Sequence, residues 1–263
     1  MIKLPASKSG RGALEIASAV AREAGDILVS AFSVEKHIQI KGHGNLVTDA
    51  DLSSEKLIIG RLRSEYPGSG ITSEESESLP SETGYTWLID PMDGTNNFSF
   101  GIPFFSVCIA LVKEDGPLLA ITYDPLRQEL FHAVEGGGAY LNGRPISVSN
   151  RTDLKSGLVG FDIGYEMGKG QEILKVAKTL RPHVFSFRVL GSGALGLAYV
   201  SCGRLDIYMH RRLYPWDIAS GRLLVAEAGG VVTDWEGKPL NKDSTEIVAG
   251  NKASHKEFMG LIR

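Results

Sequence analysis

Residues 87–98 read Trp-Leu-Ile-Asp-Pro-Met-Asp-Gly-Thr-Asn-Asn-Phe, an apolar run that ends in two acids, a proline and a glycine. A strand of that composition delivers Asp90 at its end. Pro91 holds Asp90 extended and cannot donate to a sheet ladder. Gly94 permits a tight turn, so Asp90 and Asp93 can point into one space. Two carboxylates there repel unless a cation sits with them. The amides of Gly94 and Thr95, at a predicted helix start, suit an oxyanion such as phosphate.

Two further acids fit the same chemistry. Glu74 follows a short predicted strand over 70–73, and Asp217 lies in Tyr214-Pro215-Trp216-Asp217. Pro215 suits a first helical turn, which places Asp217 at a helix N-terminus where the dipole favours its ionised form. A lone Asp-Pro-x-Asp-Gly is common turn chemistry. Here acids upstream and downstream join it. All the donors are oxygens and no histidine pair has zinc-ligand spacing, so a hard cation is expected, magnesium before zinc.

Elements must carry these residues to one place. Apolar positions at helical spacing predict a helix over 13–32, and Thr48-x-x-Asp51 predicts a second helix start. A short strand is predicted over 37–41, and 41–45 reads as a mobile loop. Residues 1–12 read as a loose end. Strands follow over 70–73, 85–90, 104–113, 118–124, 129–134 and 139–141, with turn signals between the later ones, hence an antiparallel meander. The second half alternates: strands near 158–161, 205–209, 231–234 and 246–249, an extended piece around 185–190, and helices over 171–180, 194–202, 215–228 and at the end of the chain. That pattern predicts an α/β lobe. The expected fold is α+β, with a lobe boundary near Asn150: 1–150 as a metal-binding lobe, 151–263 as a substrate-binding lobe that adds one metal ligand.

Composition bounds the function. Lysine plus arginine number 28 against 31 acids, a net charge of −3, which argues against nucleic-acid binding by phosphate neutralisation. Apolar residues make up 43%, too many for a disordered chain. The longest nearly apolar run, 104–112, falls far short of the ~20 residues of a membrane span. The start has no apolar stretch of signal-peptide length. Cys108 and Cys202 read as reduced buried thiols. The expectation is a cytoplasmic protein without membrane contact.

The motifs together resemble the inositol monophosphatase family, of the lithium-sensitive, magnesium-dependent phosphatases. Residues 87–98 match its first signature. Pro215-Trp216-Asp217-Ile218-Ala219-Ser220-Gly221, followed by Glu227-Ala228-Gly229-Gly230, matches its second. Leu46-Val47-Thr48-x-x-Asp51 and Glu74-Glu75-Ser76 match two further blocks, so the likeness runs from about 13 to 251. It implies a layered α-β-α-β-α architecture and a homodimer. It implies that Glu74, Asp90 and the Met92 carbonyl bind one magnesium, that Asp90, Asp93 and Asp217 bind a second, and that a weaker third lies near Glu74. Asp51 would hydrogen-bond Thr95, whose hydroxyl with Glu74 orients the attacking water. Gly94 and Thr95 amides would hold the phosphate. Gly191-Ser192-Gly193 matches the turn that touches the sugar or polyol. Two cations can clamp an in-line displacement at phosphorus without a covalent nucleophile.

One position departs from the pattern. Family members specialised for inositol phosphate often carry a glutamate seven residues before the second-signature aspartate, and here that place is His210. His210 with Arg211 and Arg212 suits a second anionic group, with Arg212 the better candidate. The competing reading makes both arginines solvated or paired with acids across a dimer contact. Lys41 and His43 could cover the site, but a solvated loop is the simpler expectation. The expected activity is hydrolysis of myo-inositol monophosphate. The alternative substrates are fructose 1,6-bisphosphate, NADP or a 3′,5′-bisphosphonucleotide. An alternative of another class is a non-catalytic binding or regulatory protein on the same fold.

Overall fold

The computed structural model describes residues 4–34, 37–42, 45–114 and 116–262. Helix α1 (Ala13–Phe32) buries Ile16, Ala17, Val20, Ala21, Ala24 and Leu28, the one-sided stripe that i, i+3, i+4 spacing dictates. It packs close: a Cβ on Gly25 would lie 2.6 Å from the Tyr123 ring. Strands β1 (Ile38–Gly42) and β2 (Asn45–Thr48) form an antiparallel pair. Helix α2 (Asp49–Glu65) starts at Thr48 with a capping box, the Thr48 hydroxyl and the Asp51 carboxylate serving each other's backbone N–H.

A seven-stranded sheet follows: β3 (Gly70–Ser73), β4 (Tyr85–Asp93), β5 (Ser106–Lys113), β6 (Gly116–Asp124), β7 (Glu129–Val134), β8 (Ala139–Leu141) and β9 (Arg144–Pro145), in that spatial order. Only β3 and β4 run parallel; the other pairs are antiparallel. Helix α3 (Thr95–Ser99) interrupts β4 and β5. The second half gives β10 (Leu158–Phe161), α4 (Met167–Leu180), β11 (Ser186–Val189), α5 (Gly193–Ser201), β12 (Ile207–His210), α6 (Pro215–Glu227), β13 (Val231–Thr233), β14 (Ile247–Gly250) and α7 (Lys252–Leu261). Its sheet has the order β11-β10-β12-β14-β13. Residues 146–153, around the expected lobe boundary, carry no regular element.

The layers are α-β-α-β-α, as expected. On one outer face α1 and α2 pack Ile16, Leu28, Ile58 and Leu62 on Trp87, Ile89, Ile109 and Ile121. Between the sheets lie α5 and α6. Leu223 and Leu224 meet Ala120 and Phe131 of the first sheet, while Leu197 and Val225 meet Tyr208 and Ala249 of the second. Small residues set this spacing: a Cβ on Gly196 would come 2.3 Å from Tyr208. On the far face α4 and α7 pack Ile173, Leu180 and Phe258 on Val159, Met209 and Val248. No described helix is long and apolar enough to cross a membrane.

Three expectations fail locally. The loop read over 41–45 is the β1–β2 pair where described, with Lys41 and Gly42 in one strand and Asn45 in the other; His43 lies outside the described residues. The strand carries on through Gly42 by a register shift against β2 between Ile40 and Gly42. Where described, the expected loose end is tied down, because Ser9 donates its N–H and its hydroxyl to the Glu65 carboxylate at 3.1 and 2.7 Å; residues 1–3 lie outside the described residues. Helix α4 begins four residues before the expected start, at Met167, despite Gly168 and Gly170. Gly170 packs against Ile163, where a Cβ would come within 2.5 Å, so close approach outweighs its poor helix propensity.

Candidate active site

The two sheets bring their acids to one cavity of about 500 Å³, lined by Glu74, Asp90, Asp93, Asp217, Met92 and Thr95 among others. Glu74 sits just beyond β3. Asp90 and Asp93 lie at the end of β4, whose register with β5 shifts between them. That irregularity, with Pro91 inside it, lets both carboxyls reach the cavity rather than alternate across the sheet. Asp217 arrives from the other half, in the first turn of α6.

The first half holds the turn after β4 in place from behind. The Ser54 hydroxyl donates to the Pro91 carbonyl at 2.9 Å. Asp51, fully buried, accepts from the Thr48 N–H and hydroxyl at 2.8 and 2.6 Å and from the Thr95 hydroxyl at 3.1 Å. Burial pushes the Asp51 carboxyl up to about 6 against those three donors. Gly94 adopts φ 95°, and a Cβ there would lie 3.0 Å from the Phe104 carbonyl and 3.3 Å from that of Gly191. Only glycine fits, and its turn opens α3 toward the cavity. Asn97 bridges the Phe104 and Leu190 carbonyls, each at 2.8 Å, and so joins the halves beside the site.

Asp93 performs a second join. It accepts from the Ser192 hydroxyl and from the Gly193 and Ala194 N–H groups, both at 3.1 Å, and so caps α5. The Gly191-Ser192-Gly193 turn therefore lines the cavity. Asp217 accepts from the Tyr214 N–H at 2.7 Å. The expectation that the helix dipole keeps Asp217 ionised is corrected. Burial first, then the charge of Glu74, pushes its carboxyl well above the ordinary range. Burial and the neighbouring acids do the same to Asp90, and burial raises Glu74 to about 7.

These acids fit a hard cation by their chemistry. Among the described residues, no lysine, arginine or histidine forms an ion pair with Glu74, Asp90, Asp93 or Asp217, although Asp90 and Asp217 are buried. Four oxygen-donor side chains without a protein counter-ion match the needs of a divalent ion such as magnesium. Among the described residues no three Asp, Glu, His or Cys side chains are already gathered into a metal-holding group.

The segment 210–212 divides. His210 is buried, its Nδ1 accepts from the Arg212 N–H at 3.0 Å, and burial lowers its ring to about 4, so it is neutral. Arg211 turns away from the cavity. It lies 4.1 Å from the Trp235 ring centre and pairs with Glu172 and Glu246 at 3.2 and 3.4 Å, which removes it from the expected anion site. Arg212 does line the cavity, paired with Glu166 at 3.2 Å. Lys41 is not merely solvated: it pairs with Glu75, next to Glu74, and its charge acts to lower the Glu74 carboxyl.

Several wall and support residues escaped the sequence reading. Glu55 accepts from the Glu75 N–H at 3.0 Å and from the Ser76 hydroxyl, and so shapes the turn that presents Glu74. Its signal was present: Asp51 and Glu55 stand four apart on one face of α2. Asp162, just past β10, accepts from the Tyr208 hydroxyl at 2.6 Å and the Leu190 N–H at 2.8 Å, and lines the cavity. An acid at a strand end was the same signal that marked Asp90. Tyr165, Met167 and Tyr214 carry no such mark.

Residues 11–263 match the model of the inositol monophosphatase family. Inositol monophosphatase 1 of Solanum lycopersicum is 37% identical over 261 residues, covering 95% of this chain and 94% of its own. A Xylella fastidiosa protein named Nus factor SuhB is 38% identical over 253 residues, 92% of each chain. The crystal structure of extragenic suppressor protein suhB from Bartonella henselae superposes with a TM-score of 0.91 at 34% identity, covering 95% of this chain and 97% of that one.

Proposed function

The chain belongs to the inositol monophosphatase family, and from that premise we propose that it hydrolyses myo-inositol monophosphate to inositol and phosphate with magnesium. It is a phosphoric monoester hydrolase of the inositol monophosphatase type. One observation carries the finer reading: four cavity carboxyls without a protein counter-ion stand beside the Asp51–Thr95 hydrogen bond.

Glu74, Asp90 and the Met92 carbonyl would hold one magnesium, and Asp90, Asp93 and Asp217 a second. Bound there, the ions would acidify the attacking water and neutralise the leaving alkoxide. The chain's own groups do the rest. The Gly94 and Thr95 N–H groups hold phosphate oxygens at the start of α3. Asp51 fixes the Thr95 hydroxyl, which leaves a Thr95 lone pair to accept a hydrogen bond from water. Glu74 and the Thr95 hydroxyl together orient that water. The Gly191-Ser192-Gly193 turn touches the alcohol.

A second reading gives the site a sugar bisphosphate, because Arg212 lines the cavity. Its pairing with Glu166 favours the monophosphate. The test is phosphate release from inositol 1-phosphate and fructose 1,6-bisphosphate by wild type and Arg212→Ala. The expected result is a wild-type preference for inositol 1-phosphate and a loss below about threefold on either ester, as fits a half-exposed ion pair. A preference for the bisphosphate that collapses at least tenfold in Arg212→Ala would establish the second reading instead.

A further inference from the structure

Helix α2 buries two acids one turn apart, and the proposed chemistry uses only the first. Asp51 accepts from the Thr95 hydroxyl. Glu55 is only 4% exposed, and among the described residues no lysine, arginine or histidine pairs with it. A buried carboxylate without a cationic partner is costly unless donors fill its oxygens. One short stretch fills both: Oε1 accepts from the Glu75 N–H at 3.0 Å and Oε2 from the Ser76 hydroxyl.

That stretch follows Glu74 directly. It belongs to a loop closed at its base, where Ile71 and Leu79 exchange N–H···O bonds at 2.9 and 2.7 Å. Residues 74–76, at the tip, belong to no helix or strand. Side chains fix the tip instead: Glu55 takes the Glu75 N–H and the Ser76 hydroxyl, and Lys41 takes the Glu75 carboxylate. Glu74 is also the acid whose charge acts most strongly on Asp90 and on Asp217, so its place decides whether donors from the two halves meet one cation.

Two more bonds make α2 a common frame. Ser54, fully buried, donates to the Pro91 carbonyl at 2.9 Å, and Asp51 reaches Thr95. Residues 51, 54 and 55 therefore hold the turns after β3 and at the end of β4 from one helix, itself anchored by the buried Ile58 and Leu62.

We propose that Glu55 is a positioning residue of the cation site: through Glu75 and Ser76 it keeps Glu74 in register with Asp90, so that α2 sets the spacing between cation donors of two strands. Glu55 touches neither cation nor substrate and acts only through Glu74. The inference rests on the reading above, in that Glu74 must be a cation ligand.

Magnesium calorimetry on chelator-treated and dialysed protein tests it without turnover, beside the melting temperature. Partners that orient a metal's ligands are worth about 10–100-fold in affinity, so Glu55→Ala is expected to weaken magnesium about tenfold or more. Ser76→Ala removes one of the two bonds and should cost about threefold. Glu55→Gln keeps an oxygen for the Glu75 N–H and an amide for the Ser76 hydroxyl, and should stay within about threefold of wild type. Glu55→Ala is also made in Glu74→Gln protein, where Asp90, Asp93 and Asp217 still take an ion. Because Glu55 acts through Glu74, its effect there is expected to fall below about twofold.

A Glu55→Ala protein that melts lower but binds magnesium as wild type does would overturn the inference, and so would an undiminished loss in the Glu74→Gln background. Should Glu55→Ala not fold, Ser76→Ala in the same two backgrounds decides: a loss confined to protein with Glu74 supports the inference, and no loss overturns it. Magnesium binding that none of these variants alters defeats this inference alone. No magnesium binding by wild type defeats the cation reading and this inference with it.

Discussion

Asp90→Asn is expected to lose turnover by on the order of 10³-fold or more, and in excess chelator to melt at a higher temperature than wild type. The two effects have one cause. Asp90 is buried among Glu74, Asp93 and Asp217, and burial together with these acids pushes its carboxyl well above the ordinary range. A carboxyl with a raised folded value destabilises the folded state wherever it must ionise. That cost is absent below its unfolded value, grows as the pH rises, and levels off above the folded value. The asparagine amide keeps an oxygen for the Met92 N–H, which Asp90 accepts at 3.0 Å, and removes the charge. The melting-temperature gain should therefore be larger at pH 8 than at pH 5. Wild-type turnover in Asp90→Asn, or a chelated variant that melts lower at pH 8 with unchanged circular dichroism, would contradict the shared cation site.

Thr95→Ala should lower turnover by about 10²–10⁴, the span that a positioned proton-transfer partner supplies, while magnesium affinity stays within a few-fold. Thr95 contributes its hydroxyl, not a carboxylate, and that hydroxyl reaches Asp51 at 3.1 Å and the Met92 carbonyl at 3.0 Å. Asp51 must be ionised to draw the hydroxyl proton toward itself. Its carboxyl is raised to about 6, so acidification through pH 6 protonates it and the wild-type rate falls on that limb. Thr95→Ala no longer reports the charge of Asp51, and its acid limb should flatten near pH 6. A large loss of magnesium affinity with little change in the saturated rate would assign Thr95 to holding the cation instead.

The acids were legible because each stands at an element end beside a residue with a single structural use. Pro91 and Gly94 follow Asp90, Pro215 precedes Asp217, and Thr48 precedes Asp51 by a capping-box interval. Helix α1 and strand β7 matched their expected bounds because their spacing is regular and turn residues flank them. The charge state of Asp217 was not legible, since desolvation depends on the neighbours that β4 brings to α6. Arg211 and Arg212 look equivalent in sequence. Only the fold shows that one guanidinium lies on Trp235 and the other on the cavity rim. The apolar part of the cavity lining was invisible for a similar reason: Tyr165 lies between β10 and α4, Val189 ends β11 and Tyr214 precedes α6, and no periodicity links them.

The account stands on a cation held by Glu74, Asp90, Asp93 and Asp217. Its most direct test is phosphate release from myo-inositol 1-phosphate as magnesium is titrated into chelator-treated protein, with and without lithium. The predicted result is no release in chelator, a rise with magnesium, a decline at high magnesium, and suppression by lithium. Full release in excess chelator would contradict it.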